Sequence, residues 1–414
     1  MIPAHTTLDL ETSIKNRGED SVGDFQAAPF HPDNKIVSAG YYHYGKYTEW
    51  YYTYEFGKYI PEQGLLVGQN IKFDLLYLLK EAPQFRESLV KHCTIWDTQL
   101  AEYLLTGQEE LYANLNDMSK KYGGTQKRDA IKEDYWNNGT DTEDIPKEEL
   151  LEYMKHDVLN TDLVFEQQYA KAVELGMLPL IESQMEALLA TTEMEFNGMW
   201  FDKQLAHEYI VPLRAEMAPI EEEIVQLLSD ALPNFGTKFE PYSAGSGDQI
   251  SLYLFGGEYK GRENLPMYEE FKEDHKDMFD TMADPRQPVL IKSGPNKGKV
   301  RHKYVYGKYN TDGLCTPDEK WGLNKEGMFQ VDDKVLKTCG NRFKDVRIKK
   351  FTDLVRRYRD LNKELSTYLV GYSILAWPVQ GGAILHGKFN HASTGTGRLS
   401  STKPNLQNAS GKGE

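Results

Sequence analysis

The pattern of apolar and polar positions divides the chain into a front part that mixes strands with helices and a later part that is mainly helical. Short apolar or β-branched runs predict strands at residues 5–10, 65–68 and 94–96, and a β-hairpin at residues 35–54. Helical periodicity predicts helices at residues 71–80, 98–105 and 146–176. Asp97 is placed to act as the N-cap of the second helix. This alternation predicts an α/β domain at residues 1–175, with helices covering a sheet.

From residue 178 onward, the periodicity predicts long helices at residues 178–197, 203–230 and 343–372. We expect residues 231–330 to be largely irregular, because they are polar and rich in Gly, Pro and Tyr. Within them, residues 288–306 are predicted to form a β-hairpin whose basic residues alternate with tyrosines. These features predict a mainly helical region at residues 176–380 with an insertion at about 258–330, and a separate segment at residues 381–414.

Composition excludes several classes of protein. The chain has 414 residues, of which 40% are hydrophobic, so sizeable cores can be buried. We expect neither a membrane span, because no apolar run is long enough, nor a signal peptide at the opening residues. The three cysteines, Cys93, Cys315 and Cys339, are far apart and predict a reducing compartment without structural zinc. The expected location is therefore cytoplasmic, in the host cytoplasm if the chain is viral.

The net charge of −15 disfavours a polyanion partner, but the charge is unevenly distributed. Residues 291–310 carry six Lys or Arg and no Asp or Glu, and residues 342–363 carry nine Lys or Arg against three Asp. Such local basic patches can hold nucleic acid on an acidic protein. Candidate phosphate contacts on the second stretch are Arg356, Arg357, Arg359 and Lys363, and a solvated basic helix face is the alternative interpretation.

Four carboxylates of the α/β domain form an ordered set. Asp9 and Glu11 are two residues apart on a predicted strand, so their side chains share one face. Asp74 follows the transition from a strand to a helix, and Asp157 lies one helical turn after Tyr153. Each fragment alone is common on protein surfaces, and the order and spacing carry the signal. Carboxylate oxygens are the ligands that hard divalent cations prefer.

This set resembles the DEDD exonucleases, in the subtype that has a tyrosine before the last aspartate. The other subtype would have a histidine where Glu152 stands. The resemblance covers about residues 5–170 and implies a ribonuclease-H-like α/β fold with two Mg²⁺ or Mn²⁺ ions. It implies metal ligands at Asp9, Glu11, Asp74 and Asp157, with Asp9 between the ions and Asp74 acting through water. It also implies that Tyr153 orients the attacking water and that Asn70 contacts the terminal nucleotide.

The segment at residues 394–408, which begins Thr-Gly-Thr-Gly-Arg, closely resembles the segment just before the first catalytic aspartate of family A DNA polymerases. Residues 193–202, 242–257 and 358–368 resemble other segments of that family in the same order. The resemblance implies a thumb-like DNA-binding region and the start of a palm. It implies that Arg398 reaches the minor groove and that Asn405, Gln407 and Asn408 contact template or support the palm. The 288–306 hairpin is a candidate insertion for DNA or a processivity factor, of the kind that some phage polymerases carry.

The palm aspartates and fingers motifs of that family would follow residue 408, and we expect that this chain alone adds no nucleotides. The sequence is compatible with two alternatives, a naturally split polymerase and a truncated one. The first hypothesis is a metal-dependent 3′→5′ proofreading exonuclease that is also the DNA-binding part of a family A polymerase. The second is a non-catalytic or weakly catalytic subunit that holds single-stranded 3′ ends and primer–template for a second chain carrying palm and fingers. The third is an independent DEDD nuclease for repair or RNA trimming.

Overall fold

The computed structural model describes residues 2–14, 28–51, 63–125, 130–266, 268–270, 286–288 and 302–408. The chain forms two compact units. The first unit joins Met1–Gln204 with Gly371–Glu414, and the second unit is Leu205–Val370. No helix among the described residues is long and apolar enough to cross a membrane.

A five-stranded mixed sheet forms the centre of the first unit. Its strands are β1 (His5–Thr12), β2 (Ile36–His43), β3 (Lys46–Tyr51), β4 (Gly64–Gly68) and β5 (Cys93–Asp97). Their order is β3-β2-β1-β4-β5, with antiparallel pairing among β1, β2 and β3 and parallel pairing of β4 with β1 and β5. Tyr44 and Gly45 both have positive φ, which is the backbone that a two-residue turn between β2 and β3 requires.

Helices surround this sheet and bury its apolar side chains. They are α1 (Ile71–Glu81), α2 (Phe85–His92), α3 (Thr98–Leu105), α4 (Leu115–Tyr122), α5 (Ala130–Asp134), α6 (Lys147–Glu174) and α7 (Leu178–Asn197). The long α6 packs against β1, β2 and β4, while α7 packs against α1 and β5. Leu8, Leu66 and Trp96 are among the fully or almost fully buried side chains of this core.

Residues 371–408 complete the first unit. They form α13 (Tyr372–Leu375), β11 (Trp377–Val379), β12 (Gly382–Leu385), β13 (Lys388–Asn390) and β14 (Ser400–Thr402). β12 pairs with β11 and with β6 (Met199–Phe201), which follows α7. β13 pairs with β14, so the Thr-Gly-Thr-Gly-Arg segment lies in the connection between these two strands.

The second unit contains helices and β-ribbons around its own core. Its helices are α8 (Lys203–Ala231), α9 (Phe235–Lys238), α10 (Gly247–Phe255), α11 (Asp333–Arg342) and α12 (Val346–Lys363), and its strands are β7 (Gly256–Pro266), β8 (Tyr268–Glu270), β9 (Arg286–Pro288) and β10 (His302–Asp312). On α12, Ile348, Phe351 and Val355 recur at helical spacing and are buried, as an amphipathic helix requires. After α12, a π-helical stretch continues over Glu364–Gly371.

The predicted strands and helices of residues 1–175 are confirmed where they are described, apart from small shifts at their ends. The prediction for residues 231–330 is wrong, because α10 and the long β7–β10 ribbon lie there. The hairpin predicted at residues 288–306 lies partly outside the described residues. Its end at residues 302–306 pairs with residues 262–266 instead. Local turn residues could not indicate this partner, because strand pairing across a long connection is a non-local choice.

The compact units also divide the chain differently from the three predicted segments. α7 starts at residue 178, beyond the predicted boundary at 175, yet Ile181, Met185 and Leu188 belong to the apolar core of the five-stranded sheet. Residues 371–380 are in the first unit, because β11 pairs with β12. The boundaries of the two units depend on which apolar faces are buried together. A change in the hydrophobic periodicity of the sequence does not indicate this.

Candidate metal centre

Asp9, Glu11 and Asp157 meet beside the central strand of the five-stranded sheet. Asp9 and Glu11 are alternate residues of β1 and therefore share one face, and α6 brings Asp157 to them. One carboxylate oxygen from each residue lies within 4.8 Å of the other two. Glu11 is buried, whereas Asp9 and Asp157 are half-buried. We call these three residues the acidic cluster.

Asp74, the fourth predicted ligand, lies beside the acidic cluster. Its carboxylate is not among the groups whose oxygens lie within 4.8 Å of one another. It is 3% exposed, and its Oδ1 accepts a hydrogen bond of 3.1 Å from the backbone N–H of Leu10. Because Leu10 is the residue between Asp9 and Glu11, this bond fixes α1 next to the part of β1 that carries these two carboxylates. Burial raises the pKa of Asp74 well above its ordinary value, and the negative charge of Asp9 raises it further.

The side chains present here fit a divalent cation. Crowded carboxylates repel one another, and the raised pKa of Asp74 reflects this repulsion in addition to burial. A cation would remove the repulsion, and a set of carboxylate oxygens suits Mg²⁺ or Mn²⁺. Asp9, Glu11 and Asp157 are the residues that could bind the cation directly.

Asp97 holds the first residue of α1 by a hydrogen bond. Its two carboxylate oxygens accept hydrogen bonds of 2.8 Å each, from the N–H groups of Ile71 and Leu100. The predicted N-cap of α3 is therefore confirmed, and the same carboxylate also serves the start of α1. Burial raises the pKa of Asp97 to about 6, although these backbone donors act in the opposite direction. The cap of α3 is a local signal in the sequence, whereas the N–H of Ile71 lies 26 residues away in the chain, so no local pattern indicates this second contact.

The two other residues predicted for this domain lie near the same elements. Asn70 precedes α1, is exposed, and has a left-handed backbone with φ 53°; its side chain makes no cap hydrogen bond among the described residues. Tyr153 lies one turn before Asp157 on α6 and is half-buried. Its ring meets the ring of Trp136 edge-on, with 5.8 Å between the centroids. Asn70 is thus available to a ligand, and Tyr153 is oriented by aromatic packing.

The basic residues predicted on residues 342–363 differ in their surroundings. Arg356 donates to Asp333 at 2.6 Å, and Arg357 pairs with Glu216. Arg359 is half-buried and donates to the backbone carbonyl of Val331, and burial lowers its pKa. Lys363 is exposed at the end of α12, with its Nζ 5.9 Å from the ring centroid of Tyr368. Of the four, Arg359 is the least accessible to a phosphate.

The polar residues predicted near the end of the chain lie in the first unit. Arg398 is exposed, and its carbonyl accepts a 2.9 Å hydrogen bond from the Thr394 hydroxyl. Asn405 and Gln407 are exposed, and the Gln407 side-chain amide donates to the carbonyl of Leu399 at 3.1 Å. The side chain of Asn408 is outside the described residues. The loop that carries Arg398 is therefore internally hydrogen-bonded, and Arg398 itself is exposed.

Two protein-family models match the chain in the order that these sites have along it. The model described as 3′-5′ exonuclease matches residues 52–167, which include Asp74, Tyr153 and Asp157. The model described as DNA polymerase family A matches residues 309–414, which include α12 and Arg398. Together they place nuclease-type and polymerase-type sequence in one chain.

The similar proteins are DNA polymerases, in agreement with the second of these matches. The chain is 50% identical over 56 residues to the thermostable DNA polymerase I of Thermus filiformis, and 50% identical over 54 residues to DNA polymerase I of Geobacillus stearothermophilus. These alignments cover 14% and 13% of this chain and 6% of each relative. Among solved structures, the polymerase domain of Pol1 from M. smegmatis, in complex with DNA primer-template and dNTP, is similar with a TM-score of 0.57 at 15% identity. That likeness covers 99% of this chain and 53% of the other chain, and it shows the fold alone.

The α/β unit combines a cluster of carboxylates with sequence that matches an exonuclease model, and sequence that matches a polymerase model follows later in the chain. Residues 52–167 thus match 3′-5′ exonuclease sequence, and residues 309–414 match family A DNA polymerase sequence.

Proposed function

We propose that this chain is a metal-dependent 3′→5′ proofreading exonuclease and the DNA-binding part of a family A DNA polymerase. The observation that carries the proposal is the meeting of Asp9, Glu11 and Asp157 within 4.8 Å, in a domain whose sequence matches a 3′-5′ exonuclease model. The substrates that we propose are single-stranded 3′ ends and primer–template duplex. A processivity factor at residues 288–306 is a further proposed partner.

The proposed fold of the nuclease part is the ribonuclease-H-like DEDD type, and the mixed sheet with its carboxylates on β1 and α6 supports it. The domain assignments that we propose remain residues 1–175 for the exonuclease, 176–380 for a thumb-like region and 381–414 for the start of a palm. The proposed location is the cytoplasm, of a host cell if the chain is viral. The three free cysteines support that location.

In the proposed chemistry, two Mg²⁺ or Mn²⁺ ions would activate a water molecule and stabilise the leaving oxygen of a phosphodiester. Asp9, Glu11 and Asp157 would hold the ions, with Asp74 supporting them from the start of α1. Tyr153 would orient the attacking water, because aromatic packing against Trp136 fixes its ring one turn from Asp157. Asn70, exposed and free of a cap bond among the described residues, would contact the terminal nucleotide.

The chain should release mononucleotides from the 3′ end of a labelled DNA oligonucleotide in Mg²⁺ or Mn²⁺ and should stop when the ions are chelated. A single strand or a mismatched end should be degraded about tenfold faster or more than a paired end, because the terminal base must leave the stack. Denaturing gels of the time course measure both rates. Faster degradation of an RNA oligonucleotide would favour an independent RNA-trimming nuclease, and undiminished activity in excess chelator would contradict metal dependence.

Duplex DNA binding by the second unit should depend on Lys363 and Arg357 but not on Arg359. Exposed ion pairs contribute little stability, so a phosphate can replace Glu216 as the partner of Arg357, whereas Arg359 is held by a backbone carbonyl. Each lost phosphate contact should reduce the slope of log K against log salt concentration by about 0.9. Titrations by fluorescence anisotropy would measure the slopes of Lys363→Gln, Arg357→Gln and Arg359→Gln. If all three variants kept the slope of the unaltered chain, this face of α12 would not contact DNA.

A further inference from the structure

Buried hydroxyls without a hydrogen-bond partner are concentrated next to the acidic cluster. Among the described residues, five buried side-chain oxygens lack a partner: those of Ser38, Tyr41, Tyr47, Ser119 and Ser251. Three of the five lie on β2 and β3, beside the strand that carries Asp9 and Glu11. Burying an unpaired polar group is costly, so a hydroxyl of this kind is a candidate for a hydrogen bond to water or to a bound group.

The strand register places two of these hydroxyls on the same face as the acidic cluster. Across β1 and β2, Glu11 is opposite Ser38 and Asp9 is opposite Gly40. Across β2 and β3, Tyr42 is opposite Tyr47. Because residues opposite one another, and every second residue along a strand, share a face, the side chains of Ser38 and Tyr47 lie on the side of Asp9 and Glu11. Tyr41 lies on the other face of β2.

Gly40 allows the Tyr47 hydroxyl to approach the acidic cluster. A Cβ atom on Gly40 would lie 3.1 Å from the hydroxyl of Tyr47 and 3.0 Å and 3.2 Å from Val158 and Met154 of α6. Val158 follows Asp157 directly in the chain. The Tyr47 hydroxyl therefore lies between Gly40, the residue opposite Asp9, and the turn of α6 that carries Asp157.

Charge and solvent access fit a role for this hydroxyl. Burial raises the pKa of Tyr47, and the charge of the neighbouring Glu49 carboxylate, which also lies within hydrogen-bond reach of the hydroxyl, raises it further. A tyrosine hydroxyl can donate its proton in a hydrogen bond. The ring of Tyr47 also lines a groove of about 750 Å³ between β3 and α6, with Glu152 and Lys155 on its α6 side. The groove therefore brings solvent to the ring of Tyr47.

We propose that Tyr47 is a positioning residue of the metal centre, whose hydroxyl donates a hydrogen bond to water held against the Asp9 and Glu11 carboxylates when a divalent cation binds. Ser38, opposite Glu11, supports the same water from β2. Hydrogen bonds to ligating carboxylates keep them in the orientation that a metal requires, and their loss weakens metal affinity even though no ligand is removed. This inference rests on the proposed exonuclease function.

Tyr47→Phe removes the hydroxyl and keeps the ring. We expect it to weaken Mn²⁺ binding about tenfold, as measured by titrating the DNA-free chain with Mn²⁺ and following free Mn²⁺ by electron paramagnetic resonance. Nucleotide release from a single-stranded oligonucleotide should require a correspondingly higher Mn²⁺ concentration, while the DNA concentration for half-maximal rate stays unchanged. Thermal unfolding without metal would detect a variant that fails to fold. Ser38→Ala is a second variant that removes a hydroxyl from the same face of the sheet.

Two variants control for the chemistry of the change. Tyr44→Phe alters a tyrosine that is 79% exposed on the same hairpin, and Ser119→Ala removes an unpartnered buried hydroxyl on α4; both should bind Mn²⁺ as the unaltered chain does. Mn²⁺ affinity of Tyr47→Phe within twofold of the unaltered chain would overturn the inference and leave the exonuclease function standing. An equal loss in Glu49→Gln would also overturn it, because the hydroxyl would then act on Glu49. No Mn²⁺ binding and no nucleotide release by the unaltered chain would refute the proposed function itself.

Discussion

Asp9→Ala should reduce release of 3′-terminal nucleotides on the order of a thousandfold while leaving the fold intact. Asp9 is the ligand that the resemblance places between two ions, and its oxygen lies within 4.8 Å of oxygens of both Glu11 and Asp157. Its loss should remove several kcal/mol of transition-state stabilisation, which corresponds to about three factors of ten in rate. Single-turnover degradation of a single-stranded oligonucleotide in saturating Mg²⁺ would measure the loss.

The same variant separates catalysis from stability. The charge of Asp9 contributes to the raised pKa of the buried Asp74, so the two carboxylates repel each other without a cation. Asp9→Ala should therefore unfold at the same temperature as the unaltered chain, or at a higher one, in metal-free buffer. Glu174→Ala, an exposed carboxylate at the end of α6, is the matched control and should keep full activity. If the activity of Asp9→Ala were within tenfold of that control, Asp9 would not be a metal ligand.

Local patterns predicted the elements of residues 1–175 because each signal is a short-range one. Alternation along β1 places Asp9 and Glu11 together, and the helical spacing places Tyr153 one turn from Asp157. The β-branched run before Gly45 and the Asp97 cap likewise act within a few residues. The three carboxylates of the acidic cluster could therefore be predicted to belong together once their order along the chain was considered.

Non-local choices escaped prediction. The partner of β10 is β7, which begins 46 residues before it, and nothing in either segment specifies the other. The partners of Arg356 and Arg357 are Asp333 and Glu216, so what looks like a free basic helix face in the sequence is partly paired in the structure. The unpaired hydroxyl of Tyr47 follows from register across two strand pairs together with the close approach of α6. Such features emerge only when the elements pack.

A buried ion pair that no local pattern indicates joins the core of the five-stranded sheet to the last segment of the first unit. Lys72 Nζ lies 2.5 Å from Glu195 Oε1, with side-chain exposures of 7% and 4%. Lys72 also donates to the carbonyl of Phe389, and the N–H of Phe389 donates to Glu195 at 2.5 Å. These hydrogen bonds connect α1, α7 and β13. Lys72 lies two residues before Asp74 on α1.

Lys72→Met should destabilise the first unit by about 3–5 kcal/mol, because it leaves Glu195 buried without its counter-charge. Burial already raises the pKa of Glu195 above its ordinary value, and Lys72 opposes that shift. Without Lys72 the carboxyl can escape the penalty by taking up a proton. The cost of the substitution should therefore be fully present above the raised pKa of Glu195 and should shrink as pH falls through it. Urea unfolding followed by fluorescence at several pH values would measure both effects.

Replacing both partners tests whether the pair or the burial itself matters. The double variant Lys72→Met with Glu195→Leu should be more stable than Lys72→Met alone, since no unpaired charge remains, although the N–H of Phe389 loses its acceptor. Lys91→Met is the matched control: Lys91 pairs with Glu87 one turn away, both are exposed, and its loss should cost less than about 0.5 kcal/mol. Hydrogen exchange at residues 388–390 should accelerate in Lys72→Met and not in Lys91→Met, because Lys72, unlike Lys91, donates a hydrogen bond to β13. Equal stability and equal exchange in the two lysine variants would show that β13 is held by its apolar contacts instead.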